Sequence, residues 1–106
     1  MPSTRESKVE QHLVEQAQAK GALVRKLAYI GRRGAPDRMV IWPHVYYGKT
    51  DGGDLIHRID FVELKAPGQK PDDHQAREHE RLRRMGCNVF TLDSIEAVDQ
   101  YIKDRS

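Results

Sequence analysis

Cysteine is all but missing from this chain. A single Cys87 in 106 residues excludes an internal disulfide and a cysteine-based zinc site, and suits a reducing cytoplasm. Long apolar runs are missing as well: nothing approaches the roughly 20 consecutive apolar residues that cross a bilayer. The opening Met-Pro-Ser-Thr-Arg-Glu has no apolar h-region, so no secretory signal is expected. Nor does one sign of charge dominate. Eighteen Lys and Arg face sixteen Asp and Glu, for a net charge of +2, too even to predict nucleic-acid binding by itself. There is no repeat, no low-complexity tract and no linker. What remains is 38% apolar residues over a length that allows one domain with one core, here residues 1–106.

The stretch that organises the rest is Ile59-Asp60-Phe61-Val62-Glu63-Leu64-Lys65, ended by Pro67-Gly68. Its β-formers predict a buried strand. Alternation puts Glu63 and Lys65 on one face at the strand's end. A carboxylate and an ammonium on an apolar strand carry a desolvation cost unless something uses them, and a metal ion with a phosphate would.

Around that strand the other elements follow in order. Residues 4 to 20 read as a helix stopped by Gly21, with Val9, Leu13, Ala17 and Val14 on one apolar arc. Glu6 and Glu10 fall inside the arc. Glu6 has a plain explanation in a Ser3–Glu6 capping box; Glu10 lies too far along for that and is the better candidate for a metal-facing acid, a half-exposed helix glutamate being the plain alternative. Residues 22 to 30 turn β-like. The loop Gly31-Arg32-Arg33-Gly34-Ala35-Pro36-Asp37 then delivers Asp37 in a direction set by proline, at the mouth of a second strand, 38 to 42. Asp37 is a turn residue or a site acid; Arg32 and Arg33 are solvated loop charges or phosphate contacts.

Residues 43 to 57 read as an extended hairpin connection turning at Asp51-Gly52-Gly53-Asp54, flanked by His44 and His57, too few ligands for a zinc site. A helix from about Asp73 to Met85 follows, ended by Gly86, with Asp72 and Gln75 forming a capping box. Gln75 also shares its inward face with His79 and Leu82. Arg77, Arg81 and Arg84 form a basic stripe interleaved with Glu78 and Glu80, either a solvated face or a DNA contact. Residues 88 to 92 form a fourth strand, and Asp93-Ser94-Ile95-Glu96 caps a last helix that turns Ile95, Val98, Tyr101 and Ile102 to the sheet.

Singly these signals are unspecific. Together, Glu10 on the first helix, Gly34-Ala35-Pro36-Asp37 before a strand, Glu63-Leu64-Lys65 ending the next and Gln75 opening a helix resemble the PD-(D/E)xK nuclease superfamily. Within it the chain is most similar to the VRR-NUC domain, over essentially its whole length. Ala35 fills a variable position. The connection from 43 to 57 is longer than expected, which leaves substrate preference open.

The resemblance implies a restriction-endonuclease-like α/β (α+β) fold, a four-stranded mixed sheet flanked by helices in the order α-β-β-β-α-β-α. It implies Asp37 and Glu63 as carboxylates for Mg²⁺ or Mn²⁺, with the Leu64 backbone carbonyl and Glu10, or else Glu6, as further ligands. Lys65 resembles the catalytic lysine and Gln75 the supporting amide. Arg32, Arg33, Arg77 and Arg81 are the candidate DNA contacts. The expected activity is a structure-specific DNA endonuclease, a Holliday-junction resolvase working as a homodimer with an apolar edge from Trp42, Tyr46 and Tyr47 or from the last helix. A flap or other branched-DNA nuclease is the near alternative, and a non-catalytic DNA-binding module or a small protein-interaction domain the distant ones. No membrane or small-molecule cofactor is expected, and a cytoplasmic, bacterial or phage-encoded protein is.

Overall fold

A computed structural model describes residues 4–47 and 54–106, and the side chains of 5–43 and 58–106. Seven elements follow in the expected order: α1 (Thr4–Ala19), β1 (Leu23–Lys26), β2 (Arg38–Tyr47), β3 (Asp54–Leu64), α2 (Asp73–Arg84), β4 (Asn88–Leu92) and α3 (Ile95–Arg105). The strands lie in the order β1-β2-β3-β4. β1–β2 and β2–β3 pair antiparallel and β3–β4 parallel, a mixed sheet. Parallel neighbours need a crossover, and α2 supplies it between β3 and β4.

The two faces of the sheet are covered differently. Val40 and Trp42 of β2, Val62 and Leu64 of β3 and Leu92 of β4 are buried with Val9, Leu13 and Ala17 of α1 and with Val98, Tyr101 and Ile102 of α3. The helical spacing of those six side chains makes α1 and α3 one layer. Burying a side chain the size of Leu13, which has no exposed surface, stabilises the fold by about 1.5–3 kcal/mol. The opposite face presents Met39, Phe61 and Glu63, and α2 lies over its Glu63 end. Two features hold α2 in place. Its capping box is complete at Asp72 and Gln75, and Gly86, at φ 90°, supplies the left-handed residue past its end, where Cys87 N–H donates to the Leu82 carbonyl at 3.0 Å.

Four expectations are corrected. The β-like stretch 22 to 30 is a strand only over Leu23–Lys26; beyond it a single bond, Leu27 N–H to the Asp37 carbonyl at 3.0 Å, continues the pairing, and Ile30 stands free in solvent. The connection from 43 to 57 is itself strand at both ends, with Val45↔Ile56, Tyr46↔Leu55 and Tyr47↔Asp54 paired. A one-residue shift in register between Trp42 and Val45 accommodates Pro43, which has no N–H to give a ladder. The turn itself, residues 48–53, lies outside the described residues, as do the side chains of His44, Tyr46, Tyr47 and His57 and the Ser3 cap. Trp42 is no exposed edge: it is 3% exposed in the core, its indole N–H shared between Asp60 Oδ2 at 3.1 Å and the Tyr101 hydroxyl at 3.0 Å. Ile95, the first residue of α3 after the Ser94 cap, is 37% exposed and stays out of the core that Val98, Tyr101 and Ile102 join.

Candidate active site

Asp37 is set by what surrounds its backbone. Pro36 is buried before it, and the Asp37 carbonyl accepts from Leu27 N–H and from Arg38 Nη1, both at 3.0 Å. Asp37 stands one step beyond the Arg38↔Val62 pair, so it reaches the same face as Glu63. Its Oδ2 accepts the Leu64 N–H at 2.7 Å, which ties the carboxylate to the end of β3.

Glu63 is the hub. It is 1% exposed. Its Oε2 accepts from Gln75 Nε2 at 2.8 Å and lies 3.5 Å from Lys65 Nζ. Its Oε1 is buried without a hydrogen-bond partner, and His79 Nε2, 3.8 Å from it, is buried and unpartnered too. Burial above all, then the charge of Asp37, pushes the Glu63 carboxyl up to about 8, against the opposing pull of Lys65. Burial, then the charges of Arg83 and Lys65, holds the His79 imidazole below its ordinary value. Gln75 performs both of the tasks its position suggested: its Oε1 accepts the Asp72 N–H at 2.9 Å in the cap, while its amide nitrogen supports Glu63.

Asp37, Glu63, Lys65 and Gln75 are thus brought together. Glu10 is not. Its carboxylate is paired with Arg38, whose other guanidinium nitrogen donates to the Asp37 carbonyl, so Glu10 reaches the cluster through an arginine. Arg38 shares the parity of Val40 and points to the α1 side, which is why it meets a residue of α1 first. The candidate DNA contacts, by contrast, fall together, and only the far end of the basic stripe is left out. Arg32, Arg33, Arg77 and Arg81 line one cavity with His74, whereas Arg84 lies in solvent beside Glu80 at 3.5 Å. Glu78 is not the solvated acid its spacing suggested: it is 7% exposed and accepts from the Tyr29 hydroxyl at 2.8 Å. His79 was visible in the sequence only as a companion of Gln75 on the inward face, with nothing to mark it as a neighbour of Glu63.

Among the described residues no three His, Cys, Asp or Glu side chains are grouped to hold a metal ion. Asp37 and Glu63 nonetheless fit a hard divalent cation. Mg²⁺ keeps several waters and is held by one or two carboxylates together with substrate phosphates, not by an all-protein cage. The unsatisfied Glu63 Oε1 is a free acceptor for it. A strand residue's N–H and C=O point toward the same neighbour, so the Leu64 carbonyl faces the side on which its N–H meets Asp37.

An acid pair and a lysine at adjoining strand ends, on a mixed sheet between helices, is the architecture of a restriction-endonuclease-like nuclease, and known proteins agree. The chain is similar to a solved structure described as a VRR_NUC domain, with a TM-score of 0.82 and 43% identity, covering 98% of this chain and all of that one. It is 44% identical over 90 residues to the protein named "Putative nuclease p44" of Acyrthosiphon pisum secondary endosymbiont phage 1, covering 85% of this chain and 84% of that protein. No family model matches the chain. The protein belongs to the VRR-NUC domain family.

Proposed function

We propose that this nuclease is a divalent-metal-dependent, structure-specific DNA endonuclease that cuts branched DNA and, as a homodimer, resolves Holliday junctions. The observation that carries the metal dependence is the Glu63 carboxylate: buried, one oxygen unsatisfied, with Asp37 beside it and an ammonium at 3.5 Å. Such a group is unfavourable as structure alone and becomes favourable when a hard cation enters. Mg²⁺ or Mn²⁺, when bound, supplies positive charge to the phosphoryl oxygens and makes water more acidic.

The chain's own residues do the rest. Asp37 and Glu63 hold the cation, with the Leu64 carbonyl. Lys65, a compact positive charge, offsets the negative charge that builds on the phosphoryl group or holds the attacking water. Gln75 keeps Glu63 aimed, and Glu10 steadies Asp37 through Arg38. Water adds at phosphorus, one P–O bond breaks and the departing oxygen takes a proton, leaving one phosphate end and one hydroxyl end. A four-way junction needs two matched cuts and each chain offers one site, which supports a twofold pair. A phage-encoded relative suits recombination or repair of phage or bacterial DNA.

The test uses a four-way junction, a flap and plain duplex, each with Mg²⁺, Mn²⁺ or EDTA. Nicking of the junction is expected with metal only, as paired symmetric cuts, and is lost in Lys65→Ala and Asp37→Asn. Cutting in EDTA, or full activity in Lys65→Ala, overturns the mechanism. Preference for the flap moves the substrate, and binding that falls steeply with salt without cleavage under any metal establishes the non-catalytic module.

A further inference from the structure

The cavity between the Gly31–Gly34 loop and α2 is built from parts that the cleavage site does not use. Its volume is about 270 Å³, and it is lined by Arg32 and Arg33 from the loop and by His74, Arg77 and Arg81 from α2. Four guanidinium groups around so small a space repel one another. The structure nonetheless holds them there by two independent devices.

The first is contact between backbones. Gly34, at φ 96°, lies so close to α2 that a Cβ would come within 2.8 Å of the His74 carbonyl oxygen and 3.1 Å of Glu78 Cβ. Any other residue would lift the loop, with its two arginines, off the helix. The second is Glu78. Its Oε1 accepts from Arg81 at 3.2 Å and from Arg32 at 3.5 Å, and its Oε2 accepts from the Tyr29 hydroxyl at 2.8 Å. One buried carboxylate therefore fixes an arginine from each wall of the cavity. Among the described residues no carboxylate pairs with Arg33 or Arg77. The cradle keeps a surplus of three positive charges.

We propose that this cradle is a phosphate subsite that takes one phosphate of the DNA other than the one being cut, and that Glu78 is the positioning residue that assembles it. The DNA ligand rests on the nuclease reading; the cradle itself does not. Guanidinium groups grip phosphate oxygens in pairs, and arginines already held in place lose little freedom in doing so. The separation from the cleaved phosphate follows from the helix. Gln75 and His79 turn toward Glu63, whereas His74, Arg77 and Arg81 fall roughly 100–160° round the axis from Gln75. The two sites lie on different sides of a cylinder ~10–12 Å thick. The phosphate is an internal diester or the monoester of a strand end; both present the same oxygens.

The experiment measures DNA affinity by fluorescence anisotropy in EDTA, over a salt series, and nicking kinetics with Mn²⁺. It uses the wild type, the pair Arg32→Ala with Arg81→Ala, Arg77→Ala, Glu78→Gln and Tyr29→Phe. Arg77→Ala is expected to weaken binding about tenfold and to reduce the slope of log K against log salt by about 1. The arginine pair reduces the slope by about 2, with the change in KM larger than the change in kcat. Glu78→Gln and, more weakly, Tyr29→Phe raise KM while the arginines are still present, which a merely structural glutamate would not do once affinity is referred to folded protein. Should Glu78→Gln fail to fold, Tyr29→Phe carries the same test. Removing the 5′ phosphate from a nicked duplex assigns the ligand: a loss equal to that of the arginine pair identifies a strand end, and no loss an internal diester. Unchanged affinity and salt slope in the arginine pair overturn the subsite. Failure to nick any DNA in the wild type sinks the nuclease reading instead, and the binding series still judges the cradle.

Discussion

Two acids three residues apart on β3, Asp60 and Glu63, are both withdrawn from water, at 0% and 1% exposure, and they meet opposite fates. Asp60 faces the α1–α3 layer and is saturated. Arg105 grips it with two nitrogens at 2.8 and 2.7 Å, the Tyr101 hydroxyl donates at 2.6 Å and the Trp42 indole at 3.1 Å. Glu63 faces α2 and is left wanting: one good hydrogen bond, one lysine at 3.5 Å, one empty oxygen and a second acid close by. The same fold surrounds one buried carboxylate with four donors and leaves the next one short, a difference that supports the proposed role of Glu63 in the site. The lesson is that burial alone does not mark a site; burial without full satisfaction does.

The strongest test of that contrast exchanges the two acids for their amides. Asp60→Asn strands Arg105 beside a neutral group, and breaking a buried pair from one side costs about 3–5 kcal/mol, a large part of the ~5–15 kcal/mol that holds a domain together. Chemical denaturation should show that loss, while the protein that remains folded nicks DNA at close to the wild-type rate. Glu63→Gln should do the reverse. Nicking falls at least ~10²-fold, as when one oriented charge-stabilising group is removed, and the denaturation midpoint at pH 8 in EDTA does not fall. Equal destabilisation by both substitutions would make Glu63 an ordinary structural acid.

The same contrast predicts a pH dependence of smaller size. With its carboxyl raised to about 8 in the fold against an ordinary 4.5, Glu63 binds its proton more tightly folded than unfolded. Its contribution to stability is complete below about 4.5 and is lost as pH rises through about 8. In EDTA the wild-type melting temperature should decline between pH 5 and 9 more steeply than that of Glu63→Gln. Saturating Mg²⁺ should reduce the difference, because a cation that binds only the folded, ionised form stabilises it. Parallel curves for the two proteins, with and without metal, would show that the acid does not titrate in this window.

Much of this was legible in the chain. The seven elements stood in order because turn chemistry and periodicity are local; strand alternation put Glu63 and Lys65 on one face, whereas Asp37 stood out from an ordinary turn residue only through the resemblance to the VRR-NUC domain. What stayed hidden depended on partners far away in sequence. The burial of Trp42 requires Tyr101, and that of Asp60 requires Arg105. Glu78 looked like one acid in a solvated stripe until Tyr29, 49 positions earlier, closed over it. Pro43 masked the continuation of β2 because a bulge is not a pattern. Glu10 was expected on α1 as a ligand, direct or through water, and nothing in the sequence says that Arg38 lies between it and Asp37.

Gln75 offers the finest division between structure and site, because one side chain serves both. Its Oε1 closes the cap on the Asp72 N–H while its amide nitrogen holds Glu63. Asp72→Ala removes the cap's other half, the carboxylate that accepts the Gln75 N–H at 2.8 Å, and leaves the Glu63 contact in place. A melting temperature lowered by a few degrees with nicking unchanged is expected. Gln75→Ala should lower it similarly and, in addition, slow nicking by about 10–100-fold, the usual effect of losing a group that orients a metal-binding carboxylate. If Asp72→Ala slows nicking as much as Gln75→Ala does, Gln75 acts only by anchoring α2. A gap between the two variants measures what the hydrogen bond to Glu63 contributes beyond holding the helix.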